Sequence, residues 1–207
     1  MHVSRSALAD GPRTQAQRRA RTRAALLEAA ARGISRYGYG NVVLAKVANE
    51  AGYTRGALYH LFQGKEELAL AVVEWVADSW EQEVWEPARR NDQAVDVLIA
   101  LVRGHIVFCR RDIARVMMAL RVEFAGRDHP VGQVVTEIGR NLARRFSTLI
   151  SEGRRDGSIP SGPPARTLAT AAIGAVEGLA IEVAGVRDDE LIAERMVRGL
   201  LGLEVRR

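Results

Sequence analysis

The sequence predicts an all-α protein of about nine helices: an N-terminal three-helix domain holding a helix-turn-helix, followed by a C-terminal helical bundle. Three observations predict it. Apolar residues recur at three- and four-residue spacing through most of the chain, whereas the alternation of a half-buried strand is scarce. Glycine and proline fall where helices of ordinary length need to stop or start. The run VANEAGYTRGALYHLFQGKEEL (47–68) reads as two short helices joined by a glycine turn, the second polar and basic with an aromatic end.

The elements follow in order. A first helix over about 14–37 buries Ala25, Leu26, Ala29, Ala30 and Ile34, and Gly38 closes it. Two short helices span about 44–51 and 55–61. A long helix starts near Lys65, carries Leu68, Ala71, Val72, Trp75 and Val76, and is stopped by Pro87. Helices over about 92–110 and 112–125 come next, the latter ending at Gly126. Pro130 opens another, which carries Ile138, Leu142, Phe146, Leu149 and Ile150 to about Gly157. GSIPSGPP (157–164) is the clearest loop, and two last helices cover about 165–185 and 189–203.

Within the motif, Leu44, Val47, Ala48 and Ala51 line one helix face, and Gly52 stands where a helix end needs positive φ. Thr54 is an N-cap, its hydroxyl able to accept a free backbone N–H. Leu58 and Phe62 anchor the second helix, leaving Arg55, Gly56, Ala57, Tyr59 and His60 for solvent or a ligand. Small residues let a backbone approach a groove, and arginine forks onto guanine O6 and N7. Lys65 sits at the next helix start as a further phosphate contact, and Lys46 joins these candidates. Charge is distributed accordingly: residues 1–65 hold eleven Lys and Arg against three Asp and Glu, while the rest of the chain is net acidic. Arg18, Arg19, Arg21 and Arg23 lie close to phosphate in this reading. Arg13 fits either a flexible arm reaching DNA or a leader without contacts.

The stretch from about Arg18 to Val76 resembles the DNA-binding domain of the TetR family of transcriptional regulators. The matching pieces are RTRAALLEAAARGISRYGYGN (21–41), VANEAG (47–52), TRGALYHLF (54–62) and GKEEL (64–68). The resemblance implies phosphate contacts at Thr54, Tyr59, His60 and Lys65, and a groove-facing start of the recognition helix at Arg55, Gly56 and Ala57. It divides the chain into a flexible basic arm (1–17), the DNA-binding domain (18–76) and a ligand-binding and dimerisation domain (77–207). Val42 and Val43 depart from the family, which usually has Thr or Ser there; valine can neither cap a helix nor donate a hydroxyl to phosphate.

The last two helices are unusual in texture. Ala169, Ala171, Ala172, Gly174, Ala175, Gly178 and Ala180 alternate with Ile173, Val176, Leu179 and Ile181. Small residues at helical spacing allow close approach, and a homodimer through these two helices is the expectation that the resemblance also implies. Two recognition helices about 34 Å apart would then read the half-sites of a near-palindromic operator. Trp75, His105, Phe108, Met117, Leu120 and Phe124 are the candidates for an adaptable effector cavity, with Arg121 and Glu123 read as surface charges. A ligand there would tilt the helix over 65–86 and change recognition-helix spacing.

Other classes are poorly supported. His105 and Cys109 stand four apart, but no second pair accompanies them, so no metal and no cofactor is expected. Gly38-Tyr39-Gly40 lacks the third glycine and the strand of a dinucleotide site, and no nucleophile elbow or phosphate loop occurs. No apolar run is long enough for a bilayer, residues 1–20 lack a signal-peptide core, and the single cysteine excludes a disulfide framework. The expectation is a cytoplasmic, non-enzymatic, ligand-responsive repressor that binds operator DNA and a small apolar effector. The alternative is a sensor module whose helix-turn-helix makes protein contacts.

Overall fold

Thr14 begins the described part of the chain, residues 14–204 of a computed structural model. Its hydroxyl accepts the Gln17 N–H at 3.2 Å while Gln17 Oε1 accepts the Thr14 N–H at 2.9 Å, a capping box that opens α1 (Gln15–Asn41). The first helix therefore starts where the sequence places it, at about residue 14, and takes in residues 15–17 of the basic arm; residues 1–13, with Arg13, lie outside the described residues. Helical geometry breaks at Gly38 (φ 77°), leaving a last turn over Tyr39–Asn41. Leu26, Leu27, Ala30 and Ile34 are buried, and Ala25 is half-buried.

α2 (Leu44–Glu50) and α3 (Arg55–Tyr59) form the helix-turn-helix, and α4 (Lys65–Trp80) leaves it toward the bundle. Pro87 does not stop this run. A π-type turn (Glu81–Trp85) leads into α5 (Glu86–Ala88), with Pro87 in its first turn. There the wider turn carries the continuous helical run past the proline ring, and the run ends at Ala88. α6 (Ala94–Cys109), a 3₁₀ turn (Asp112–Arg115), α7 (Val116–Glu123), α8 (Pro130–Asp156), α9 (Ala165–Val183) and α10 (Asp189–Leu200) complete the chain. Gly157 (φ 82°) closes α8 in the left-handed conformation. Among the described residues there is no strand, and no helix is long and apolar enough to cross a membrane.

One core runs through both ends of the molecule, from Leu26, Ile34 and Leu58 through Val72 to Leu98, Ile106, Leu120 and Ile150. α1 rests on α4 and α7, α8 packs on α9, and α10 on α6 and α9. The start of α10 is clasped to the end of α6: Arg110 forks onto buried Asp189 at 2.7 and 3.1 Å, and Asp189 also accepts the N–H groups of Gly185 and Glu190. The Arg110 fork outweighs burial and holds the Asp189 carboxyl at about 2. Among the described residues nothing covers the outer face of α9. Ala171, Gly174, Gly178 and Ile181 are exposed there, Ile181 by 61%, beside exposed Leu191 and Ile192 of α10.

Candidate DNA-binding face and effector cavity

The helix-turn-helix is built as its residues suggest. Gly52 (φ 76°) turns the chain after α2, and Tyr53 N–H closes that end on Ala48 O at 2.8 Å. Thr54 caps α3, its hydroxyl accepting Ala57 N–H at 3.2 Å. Leu58 and Phe62 are buried, which fixes the rotation of α3 and turns Arg55, Gly56, Tyr59 and His60 outward, with Ala57 half-buried. A Cβ on Gly56 would meet only Thr54 Oγ1, at 3.8 Å, so packing does not require glycine there. Arg55 lies 5.2 Å over the Tyr59 ring and its Nη2 donates to the phenol oxygen at 3.3 Å. Lys46 is exposed on α2.

Lys65 has a second engagement that sequence gave no sign of. Its Nζ donates to Gly40 O at 2.7 Å and sits 4.7 Å over the Tyr39 ring, tying α4 to the end of α1. The two departing valines also divide. Val42 is buried, whereas Val43 occupies the N-cap of α2, 49% exposed and with no side-chain cap. Val43→Thr keeps the branched shape and adds the missing acceptor. It is expected to stabilise the protein by about 1 kcal/mol, or about 2–4 °C in Tm. Thermal unfolding checks this, and an unchanged Tm would mean that water already serves those N–H groups.

Between α4, α6, α7, α8 and α9 lies a cavity of about 440 Å³. His105, Phe108 and Met117 line it. Trp75, Leu120 and Phe124 do not. Val76, Ala77 and Trp80 give the cavity its α4 wall, and Trp75 points off that face because each helical residue turns the side chain by about 100°. Leu120 is fully buried in the core, and Phe124 stacks on His129 with ring centroids 4.2 Å apart. The polar part of the wall is larger than the sequence reading allowed. Arg121 forms a close ion pair with Glu177, Arg145 forks onto Glu81 at 2.6 and 2.7 Å while lying 3.6 Å over Trp85, and Asn141 adds an amide.

His105 is held neutral. Trp80 Nε1–H donates to His105 Nδ1 at 3.1 Å, which leaves the proton on Nε2, 3.4 Å from Cys109 Sγ. Burial, and then the Arg121 charge, push the imidazole down to about 4. Burial and then Glu177 push the Cys109 thiol up to about 12, so it is neither a nucleophile nor a ready ligand. Among the described residues no group of three metal-ligating side chains occurs. The depressed imidazole has a consequence for stability. Between the ordinary histidine value and about 4, the unfolded chain binds a proton that the folded one refuses. Stability therefore falls as pH drops through that window, by up to about 3 kcal/mol. His105→Asn should flatten this slope in denaturant titrations. An unchanged slope would show that His105 is not the group responsible. The Asp189 carboxylate acts lower, its contribution being lost only as pH falls from its ordinary range toward about 2.

Glu123 is not a surface charge. Its carboxylate accepts Tyr39 N–H at 2.6 Å and Gly40 N–H at 2.7 Å. A Cβ on Gly38 or Gly40 would stand 3.0 or 3.2 Å from its oxygens, so the two glycines make the seat. Phe124 and His129 pack edge-on against Tyr39 beside it. α7 thus touches the cavity through Met117 and Arg121 and the end of α1 through Glu123.

The chain thus joins a helix-turn-helix to a helical bundle that holds a ligand-sized cavity. Residues 26–72 match the family described as bacterial regulatory proteins, tetR family. The match covers the helix-turn-helix end of the chain, and the fold as a whole is that of the solved structures below. The chain is 24% identical over 161 residues to the uncharacterized HTH-type transcriptional regulator YfiR of Bacillus subtilis, covering 76% of this chain and 78% of that one. AibR in complex with isovaleryl coenzyme A and operator DNA superposes with a TM-score of 0.74 at 22% identity, over 88% of this chain and all of AibR. FadR from Bacillus subtilis in complex with stearoyl-CoA gives 0.69 at 18%, over 85% and 98%.

Proposed function

We propose that this protein is a ligand-responsive transcriptional repressor that binds a near-palindromic operator as a homodimer and leaves it when a largely apolar effector enters the cavity. The observation that carries the reading is the outward face of α3. Arg55, Gly56, Tyr59 and His60 stand on anchors that are themselves buried, in the part of the chain where the positive charge is concentrated. In this reading Arg55, Gly56 and Ala57 face the major groove, and Thr54, Tyr59, His60, Lys46 and Lys65 hold phosphates. The uncovered face of α9 and α10 is the dimer interface, since a contiguous apolar face of this kind calls for a partner.

The effector acts by differential binding to two arrangements of the bundle. α4 follows the recognition helix in the chain and enters the cavity wall at its far end through Val76, Ala77 and Trp80, and α7 joins the same wall to the turn at Gly38–Gly40. A ligand that moves either wall moves α1 and α3 against the bundle. Acyl-CoA complexes of AibR and FadR support an acyl-bearing effector here, as does an apolar wall of Val76, Phe108, Met117 and Leu142. The test is operator titration over a range of salt. Affinity should fall linearly on logarithmic axes as phosphate contacts release counterions, and effector should lower it further. Salt-independent binding, or none, would favour a helix-turn-helix that makes protein contacts.

A further inference from the structure

We infer that a second chamber beside the cavity receives a phosphate-bearing head group of the effector; the inference rests on the effector-responsive reading above. The chamber, about 530 Å³, lies along the α7–α8 seam toward their connecting turn, and Arg121 lines both it and the effector cavity. Gly139 makes this possible. A Cβ there would stand 3.1 Å from Arg121 Nη2, so the guanidinium lies across α8 where a side chain is missing. Arg121 is the partition between an apolar compartment and a polar one.

The charges of the chamber favour an anion. Arg121, Arg127 and Arg140 line it against a single carboxylate, Glu137. Glu137 is already held by Arg144 at 2.9 Å and Arg140 at 3.7 Å, and the Arg144 hydrogen bond keeps its carboxyl below the usual range. Nearby Asp128 accepts from Gln133 Nε2 at 2.7 Å. Among the described residues Arg127 has no carboxylate partner within 4.0 Å, so its charge is unspent. Thr136 adds a hydroxyl, and Gly132 keeps the floor low, since a Cβ there would strike Phe124 at 2.7 Å. A free fatty acid filling the cavity would leave this chamber to water. An amphiphile with a phosphate or pyrophosphate head fills both, its tail among Phe108, Met117 and Leu142 and its head on Arg127 and Arg140.

Two sources share that chemistry, acyl thioesters of coenzyme A and lysophosphatidic lipids. Calorimetric titration of the full-length protein without DNA, using palmitoyl-CoA, palmitoyl lysophosphatidic acid and palmitate, distinguishes them. At least one phosphate-bearing ligand should bind about tenfold or more tighter than palmitate, and the tighter of the two identifies the source. Arg127→Ala with Arg140→Ala, both exposed and remote from the core, should cost that ligand about ten- to a hundredfold and leave palmitate unchanged. Palmitate binding as tightly as both others would overturn the inference, as would an unaffected double variant or binding of none of the three. Operator titration of the unliganded protein, run alongside, tests the regulator reading separately, because it requires no effector.

Discussion

Gly174→Arg combined with Gly178→Arg is expected to leave the protein folded but monomeric, with operator affinity lowered by about a hundredfold or more. Neither glycine's added Cβ would meet any atom within 4 Å, so the larger side chains find open space within the chain. Replacing two helix-interior glycines also favours α9, by about 1 kcal/mol each. Between two copies, however, the stripe of Ala171, Gly174 and Gly178 is where backbones would approach, and four guanidinium groups would meet in a desolvated interface. A monomer engages one half-site and loses the second contact, which effective concentration makes worth about two orders of magnitude or more. Sedimentation and operator titration check both halves. A persistent dimer with full affinity would move the interface away from α9 and α10.

Glu123→Ala should produce a protein that still binds operator but no longer responds to effector. The carboxylate is the one charged link between α7 and the turn at Tyr39 and Gly40, and it is seated where two glycines give it room. Removing it strands the Tyr39 N–H in a half-buried position, at a cost of about 2 kcal/mol, or about 4–8 °C in Tm. In the proposed mechanism, release from DNA requires the cavity to bias the position of α1; with the link gone, the Lys65–Gly40 hydrogen bond still ties α1 to α4, while α7 keeps only apolar packing on that turn, such as Phe124 on Tyr39. Effector affinity, measured without DNA, should change little, while the effector-induced drop in operator affinity should vanish. An undiminished drop would assign transmission to α4 alone.

The helix-turn-helix was legible in the sequence because its signals are local. Gly52, Thr54, Leu58 and Phe62 act within a few residues of one another, and each sits as its chemistry suggests. Helix ends at Gly38 and Gly157 were legible for the same reason, both being positions of positive φ. Pro87 marks that helix end only to within a residue or two, because the π-type turn accommodates its ring and the run continues to Ala88. The cavity was legible only in kind. Met117 and Leu120 are equally apolar, and which one faces a void depends on how α7 is rotated against α8. Glu123 bonds to backbone N–H groups more than eighty residues away, and backbone acceptors and donors leave no mark on sequence. The Arg121–Glu177 pair joins helices 56 residues apart with the same result.

The most direct measurement is capture of genomic DNA fragments by the purified protein, in parallel with an Arg55→Ala, Tyr59→Ala variant. Both side chains are exposed, Tyr59 by 43%, so the fold should survive on Leu58 and Phe62. A short inverted repeat recovered by the native protein and lost by the variant is the predicted result, each lost base or phosphate contact being worth about 1–3 kcal/mol. Equal recovery by the two proteins, or no preferred sequence with the native one, would contradict a role for this face in reading an operator.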